Sequence, residues 1–128
     1  MKYKELRDLV ITIQQVSGKQ ETKIQKKLFK VYEKVKKTYE DYLEKIEELR
    51  LDNALTDDKG GLILDEKGKY RFSKEGLKKL NKDIIALDEQ EFPFEKIPVV
   101  NPQGLEEFTF LKDWLSGVEF QIEEEEEL

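Results

Sequence analysis

From about residue 20 to residue 52, Ile24, Leu28, Val31, Val35, Tyr39, Tyr42, Ile46 and Leu49 recur at spacings of three or four. That period predicts one long amphipathic helix. At a rise of about 1.5 Å per residue it would run roughly 45 Å. An isolated helix of this kind is marginal in water, so its apolar stripe must be packed. Leu6, Leu9, Val10 and Ile13, continued by Val16, put a second apolar face on a helix over 3–16. Ser17-Gly18 breaks it, which predicts an antiparallel helical hairpin. The first helix is about half as long as the second. Part of the long stripe is therefore left for other elements or for another chain.

Downstream, residues 53–61 read as a turn centred on Asp57-Asp58-Lys59-Gly60-Gly61. Leu62-Ile63-Leu64 and Lys69 to Phe72 read as short strands around the loop Asp65-Glu66-Lys67-Gly68. Ser73 is a suitable N-cap for a helix over 74–89, with Leu77, Leu80, Ile84 and Leu87 on its apolar face. Phe92-Pro93-Phe94, Ile97-Pro98 and Asn101-Pro102 mark an extended connector, because proline and the residue before it resist helix. Phe108, Leu111, Trp114 and Leu115 predict a short helix over 105–116, closed by Gly117. Val118, Phe120 and Ile122 alternate with Glu119, Gln121 and Glu123 as a half-buried strand would. The expected architecture is one α+β domain over 1–122, followed by an acidic tail over 123–128 that should be solvated and mobile. Its helical hairpin packs with two shorter helices and a small, mostly antiparallel β-sheet. No internal repeat and no second domain is evident.

The chain has no cysteine and no histidine. Disulfides and thiolate metal sites are excluded, and so are the commonest general base and zinc ligand. Charged residues make up 41% of the chain and the formal net charge is −6. That balance argues against direct binding to nucleic acid and for partners with basic surfaces. The start of the chain, Met1 to Asp8, is charged, and no apolar run is long enough to span a membrane. Residence in the cytoplasm or inside a virus particle is expected.

The carboxylate groups Asp57/Asp58, Asp65/Glu66 and Asp88/Glu89/Glu91 could hold a metal or do acid–base work. Composition alone supplies such neighbours here, and these sit in turns or at helix ends. Residues 57–68 lack the order of ligands of a calcium loop, and Gly60-Gly61 leads into a strand rather than a phosphate-binding helix. Ser17, Ser73 and Ser116 have no histidine to activate them. No catalytic residue, metal or cofactor is expected, and no enzyme.

The long helix is basic in its first half and acidic in its second. Lys23, Lys26, Lys27, Lys30, Lys34, Lys36 and Lys37 give way to Glu40, Asp41, Glu44, Glu47, Glu48 and Asp52. One reading is a solvated face with some i,i+4 pairs. The other is antiparallel pairing of two copies, basic half against acidic half. Candidate interface residues are Tyr39, Tyr42, Ile46, Phe92, Phe94 and Trp114, since aromatics anchor interfaces as well as cores. The acidic run Glu123, Glu124, Glu125, Glu126 and Glu127 is a candidate contact for a basic partner.

The order of segments resembles an uncharacterised family of small proteins from tailed bacteriophages. In that family a Lys/Glu-rich helical hairpin precedes a short β-hairpin, a further helix and a C-terminal acidic strand. The residues that carry the likeness are the helix through Glu47-Glu48-Leu49, the turn and hairpin from Asp58 to Phe72, and Leu115 to Ile122. The resemblance implies a phage-encoded accessory, assembly or virion protein and supplies no catalytic residue. The expected function is therefore protein–protein contact in a phage structure or its assembly, with itself or with phage structural proteins. The alternative is an acidic phage-encoded inhibitor that occupies the basic site of a host nucleic-acid-binding or defence protein.

Overall fold

The computed structural model describes residues 1–121. Helix α1 spans Tyr3–Ser17, α2 spans Thr22–Asn53 and α3 spans Lys74–Glu89. Each follows from local chemistry. At the start of α1 the Lys2 amide donates to the Glu5 carboxylate at 2.8 Å, which satisfies one of the helix's orphan donors. The side-chain amide of Gln25 donates to the Ser17 carbonyl at 3.0 Å and ties the turn between α1 and α2. Asn53 donates back to the Leu49 carbonyl, and the chain then turns extended at Ala54. Ser73 caps α3 by accepting from the Gly76 amide at 2.9 Å.

With 32 residues, α2 is about twice the length of α1 or α3, which have 15 and 16. The two short helices lie along it end to end. Tyr3 stacks on Tyr42 with ring centroids 5.5 Å apart, while Ser17 lies beside Gln25, so α1 runs antiparallel to the first two-thirds of α2. Gly76 approaches the Asn53 carbonyl and Asp88 reaches Tyr42, so α3 runs antiparallel to the remainder. The start of α1 meets the end of α3, where the Tyr3 amide donates to Gln90 O and the Phe92 amide to Met1 O.

From residue 90 the chain doubles back and seals the groove between α1 and α2. Phe92, Leu105, Phe108, Leu111, Trp114 and Leu115 join Leu6, Val10, Leu28, Val31 and Val35 in one apolar core. Strand β1 (Ile97–Pro98) pairs in parallel with β2 (Leu115–Ser116). The Ile97 amide donates to Trp114 O at 2.9 Å and the Val99 amide to Ser116 O at 3.0 Å.

The fold is mostly helical, which overturns the α+β expectation. Among the described residues the one named sheet is this two-stranded parallel pair. The expected strands at 62–64 and 69–72 make only isolated antiparallel bridges, Thr56 to Leu62 and Leu64 to Tyr70. No strand forms over 117–121, and Ile122 lies outside the described residues. The expected helix over 105–116 is instead a run of tight turns with a short 3₁₀ helix at Thr109–Leu111. The amides of Leu105, Phe108, Leu111 and Trp114 each donate to the carbonyl three residues back. A spacing of three is the 3₁₀ period, which lines these four side chains along one buried edge.

Residues 55–78 hold an eight-residue recurrence, contrary to the expectation of no internal repeat. Leu55, Ile63 and Arg71 are eight residues apart, as are Asp57, Asp65 and Ser73, and Gly60, Gly68 and Gly76. Asp57 accepts from the amides of Lys59 and Gly61, and Asp65 accepts from those of Lys67 and Lys69. Each turn closes through a glycine with positive φ, +81° at Gly60 and +76° at Gly68. In the third copy Ser73 caps α3 and the turn becomes a helix start. The main chains of Leu55, Ile63 and Arg71 form a closed ring. Ile63 N donates to Leu55 O, Arg71 N to Ile63 O, and Leu55 N to Arg71 O.

Candidate partner-binding surface

Tyr42 stands where α1, α2 and α3 meet. Its hydroxyl donates to one carboxylate oxygen of Asp88 at 2.6 Å, and Arg7 donates to the other at 2.6 Å. Asp88 is buried, so these two bonds compensate its loss of water. Burial pushes the Tyr42 phenol up to about 12, and the hydrogen bond to Asp88 and that carboxylate's charge push the same way. Burial works to lower the Arg7 value, but the hydrogen bond and charge of Asp88 prevail and raise it. Nearby, Lys2 and Lys4 bracket Glu89 at 2.8 and 2.5 Å and hold its carboxylate down to about 2. The cluster locks three helices together, with Tyr42 and Asp88 buried at its centre.

The candidate interface residues separate into two groups. Tyr42, Phe92 and Trp114 are buried, with Tyr42 3% and Trp114 4% exposed, and belong to the core. Tyr39, Ile46 and Phe94 are half-buried and pack against it. Tyr39 stacks toward Tyr42 at 6.2 Å, and Phe94 meets the Trp114 ring edge-on at 4.8 Å. Tyr3, Tyr42, Phe92, Phe94 and Trp114 thus form one aromatic chain through the interior. Its members hold the C-terminal segment on the helices. Glu123, Glu124, Glu125, Glu126 and Glu127 lie outside the described residues.

The surface itself is built by α2. With α1 on one flank and the returning C-terminal segment on the other, its outer face is left open. Phe29 is 57% exposed there and Leu43 46%. Phe29 lies 6.2 Å from Tyr32, ring to ring, above the α1–α2 turn. Among the described residues none of the seven lysines from Lys23 to Lys37 forms an ion pair. In the acidic half, Glu47 accepts from Tyr70 at 2.6 Å and lies 3.6 Å from Arg50.

Between α2 and β1 runs a groove of about 280 Å³. Lys27, Lys30 and Lys34 line its helix side, over a floor that includes Val31, Ile97 and Leu105. Lys27 also donates to the Gln103 carbonyl, which anchors the end of the groove. In the sequence these lysines stand within the basic block from Lys23 to Lys37. Their spacing of three and four already put them on one helix edge, but the connector that forms the other wall carries no helical or strand period to place it. In the sequence Asp88 stands with Glu89 and Glu91 as a carboxylate group at a helix end, which does not mark it as buried. Its position four residues after Ile84, on the apolar face of α3, was the available signal.

The acidic pairs elsewhere serve turns. Asp57 and Asp65 spend one carboxylate oxygen each on backbone amides. Among the described residues no group of three or more possible ligands could hold a metal ion, and no helix is long and apolar enough to cross a membrane. No family model matches this chain, and neither a curated protein nor a solved structure does.

Proposed function

We propose that this chain is a non-enzymatic protein–protein interaction protein that serves as a structural or assembly component of a bacteriophage. The observation that supports contact with a protein is the outer face of α2. It is a rod of about 48 Å by the usual helical rise, clamped by α1, α3 and the C-terminal segment, and it presents Phe29 and Leu43 amid segregated charge. An exposed aromatic side chain within a charged rim is a usual kind of anchor for a protein contact. The rod is rigid before any partner arrives, which lowers the entropic cost of association. The phage assignment is supported by the order of segments alone.

The test is capture of the tagged protein from phage-infected cells, washed at low and at high salt, with mass spectrometry of what remains. Capsid or tail proteins that persist at high salt, and are lost from a Phe29→Ala/Leu43→Ala variant that keeps its helical circular dichroism, are the expected result. A lone host nucleic-acid-binding protein that is released at high salt would favour the inhibitor alternative instead.

A further inference from the structure

Three lysines on one wall of an apolar groove call for an acidic occupant with little bulk, and the chain itself carries one. We propose that the groove between α2 and β1 binds the acidic run Glu123–Glu127 of the same molecule. Three observations support this, and none of them depends on the phage reading.

The first is charge. Lys27, Lys30 and Lys34 have no carboxylate partner among the described residues, although acids outnumber bases in the chain as a whole. Five consecutive glutamates supply the complementary charge.

The second is position. The last described residue, Gln121, donates its amide to the Glu106 carbonyl at 2.8 Å. Glu106 follows Leu105 in the chain, and Leu105 lines the groove. Gln103, two residues before Leu105, is the residue that Lys27 grips. The described chain therefore ends beside the Lys27 end of the groove.

The third is length. Seven residues of α2 separate Lys27 from Lys34, a rise of about 10 Å. Five extended residues span about 13 Å from first to last. The run is long enough to pass all three ammonium groups. Such ion pairs are individually weak and are screened by salt, so the contact is expected to be reversible.

Zero-length carbodiimide cross-linking of the full chain at low salt tests this, because the reagent joins only a lysine and a carboxylate already in contact. The ion pairs Lys2–Glu89 and Lys79–Asp83, at 2.8 and 3.1 Å, serve as internal references. Cross-links from Glu123–Glu127 to Lys27, Lys30 and Lys34 are expected in the monomer, several-fold above those to Lys78 and Lys82 of α3. They should fall sharply at high salt. A second reading uses amide chemical shifts. Replacing Glu123 to Glu127 by glutamine should shift residues 27–34 and 99–100 and leave α3 unmoved. Cross-links confined to a dimer would overturn the proposal in favour of a second copy as the occupant. Cross-links spread evenly over the surface lysines, or reference links alone, would overturn it outright, as would unmoved amides in the glutamine variant.

Discussion

Asp88 on α3 ties the three helices together where they meet. Each of its carboxylate oxygens has one donor, Tyr42 from α2 and Arg7 from α1. Tyr42→Phe removes one donor and leaves an oxygen unsatisfied, at an expected cost of about 1–2 kcal/mol in chemical denaturation. Arg7→Ala should cost more, up to about 3 kcal/mol, because it strips the compensating charge from a buried carboxylate. The same cluster sets an alkaline limit. The Tyr42 phenol is raised from 10.0 to about 12 in the folded chain, so the unfolded chain releases this proton first. Its contribution is complete below pH 10 and is lost as the pH climbs toward 12. The difference in stability between wild type and Tyr42→Phe should shrink over that window. Glu89 has the opposite sign. Its carboxyl is lowered from 4.5 to about 2, so its contribution is present above pH 4.5 and fades as the pH falls toward 2. Glu89→Gln should flatten the acid limb of the denaturant midpoint plotted against pH, and an unchanged limb would refute that assignment.

At the scale of elements, regular period was legible and irregular backbone was not. The helices expected over 3–16, 20–52 and 74–89 are observed within about two residues, because a 3.6-residue apolar period leaves few alternatives. The segment over 105–116 misled because its four buried side chains repeat every three residues, close enough to a helical period to pass for one. The surface site was half legible. The lysine edge of the groove stands in the sequence, but its apolar wall exists only because Pro98 and its neighbours fold back through a parallel pairing. That pairing depends on Gly117, which has φ +83° and whose position leaves no room for a side chain. A Cβ there would sit 2.8 Å from the Val99 carbonyl oxygen. Gly117→Ala should therefore destabilise by about 1–3 kcal/mol, since strain in this region of backbone space adds to the clash. Gly18→Ala is the control, because nothing lies within 4 Å of the added carbon. Equal thermal midpoints for the two variants would show that the pairing carries no weight.

At the scale of the whole molecule, the design is a spine with two short helices and a return strap. The strap shares its core with both α1 and α2, so their unfolding should be coupled. Trp114 is the lone tryptophan and is buried in the strap, where its fluorescence reports that packing. Its denaturation curve should coincide with the helical circular dichroism signal, as one cooperative unit requires. An earlier fluorescence transition would mean that the strap detaches while the helical hairpin survives.

The strap also imposes an order in time. Residues 1–53 emerge from the ribosome before residues 90–121 and can form the hairpin without them, since their contacts are local. The groove between α1 and α2 waits for residues 90–121. At synthesis rates of about 5–20 residues per second, that interval is on the order of several seconds. Throughout it Val31 and Val35, which line the surfaces beside residues 92–105, face solvent or whatever else is at hand, so the nascent hairpin is the stage of this protein's life that is most open to chaperones and to other chains.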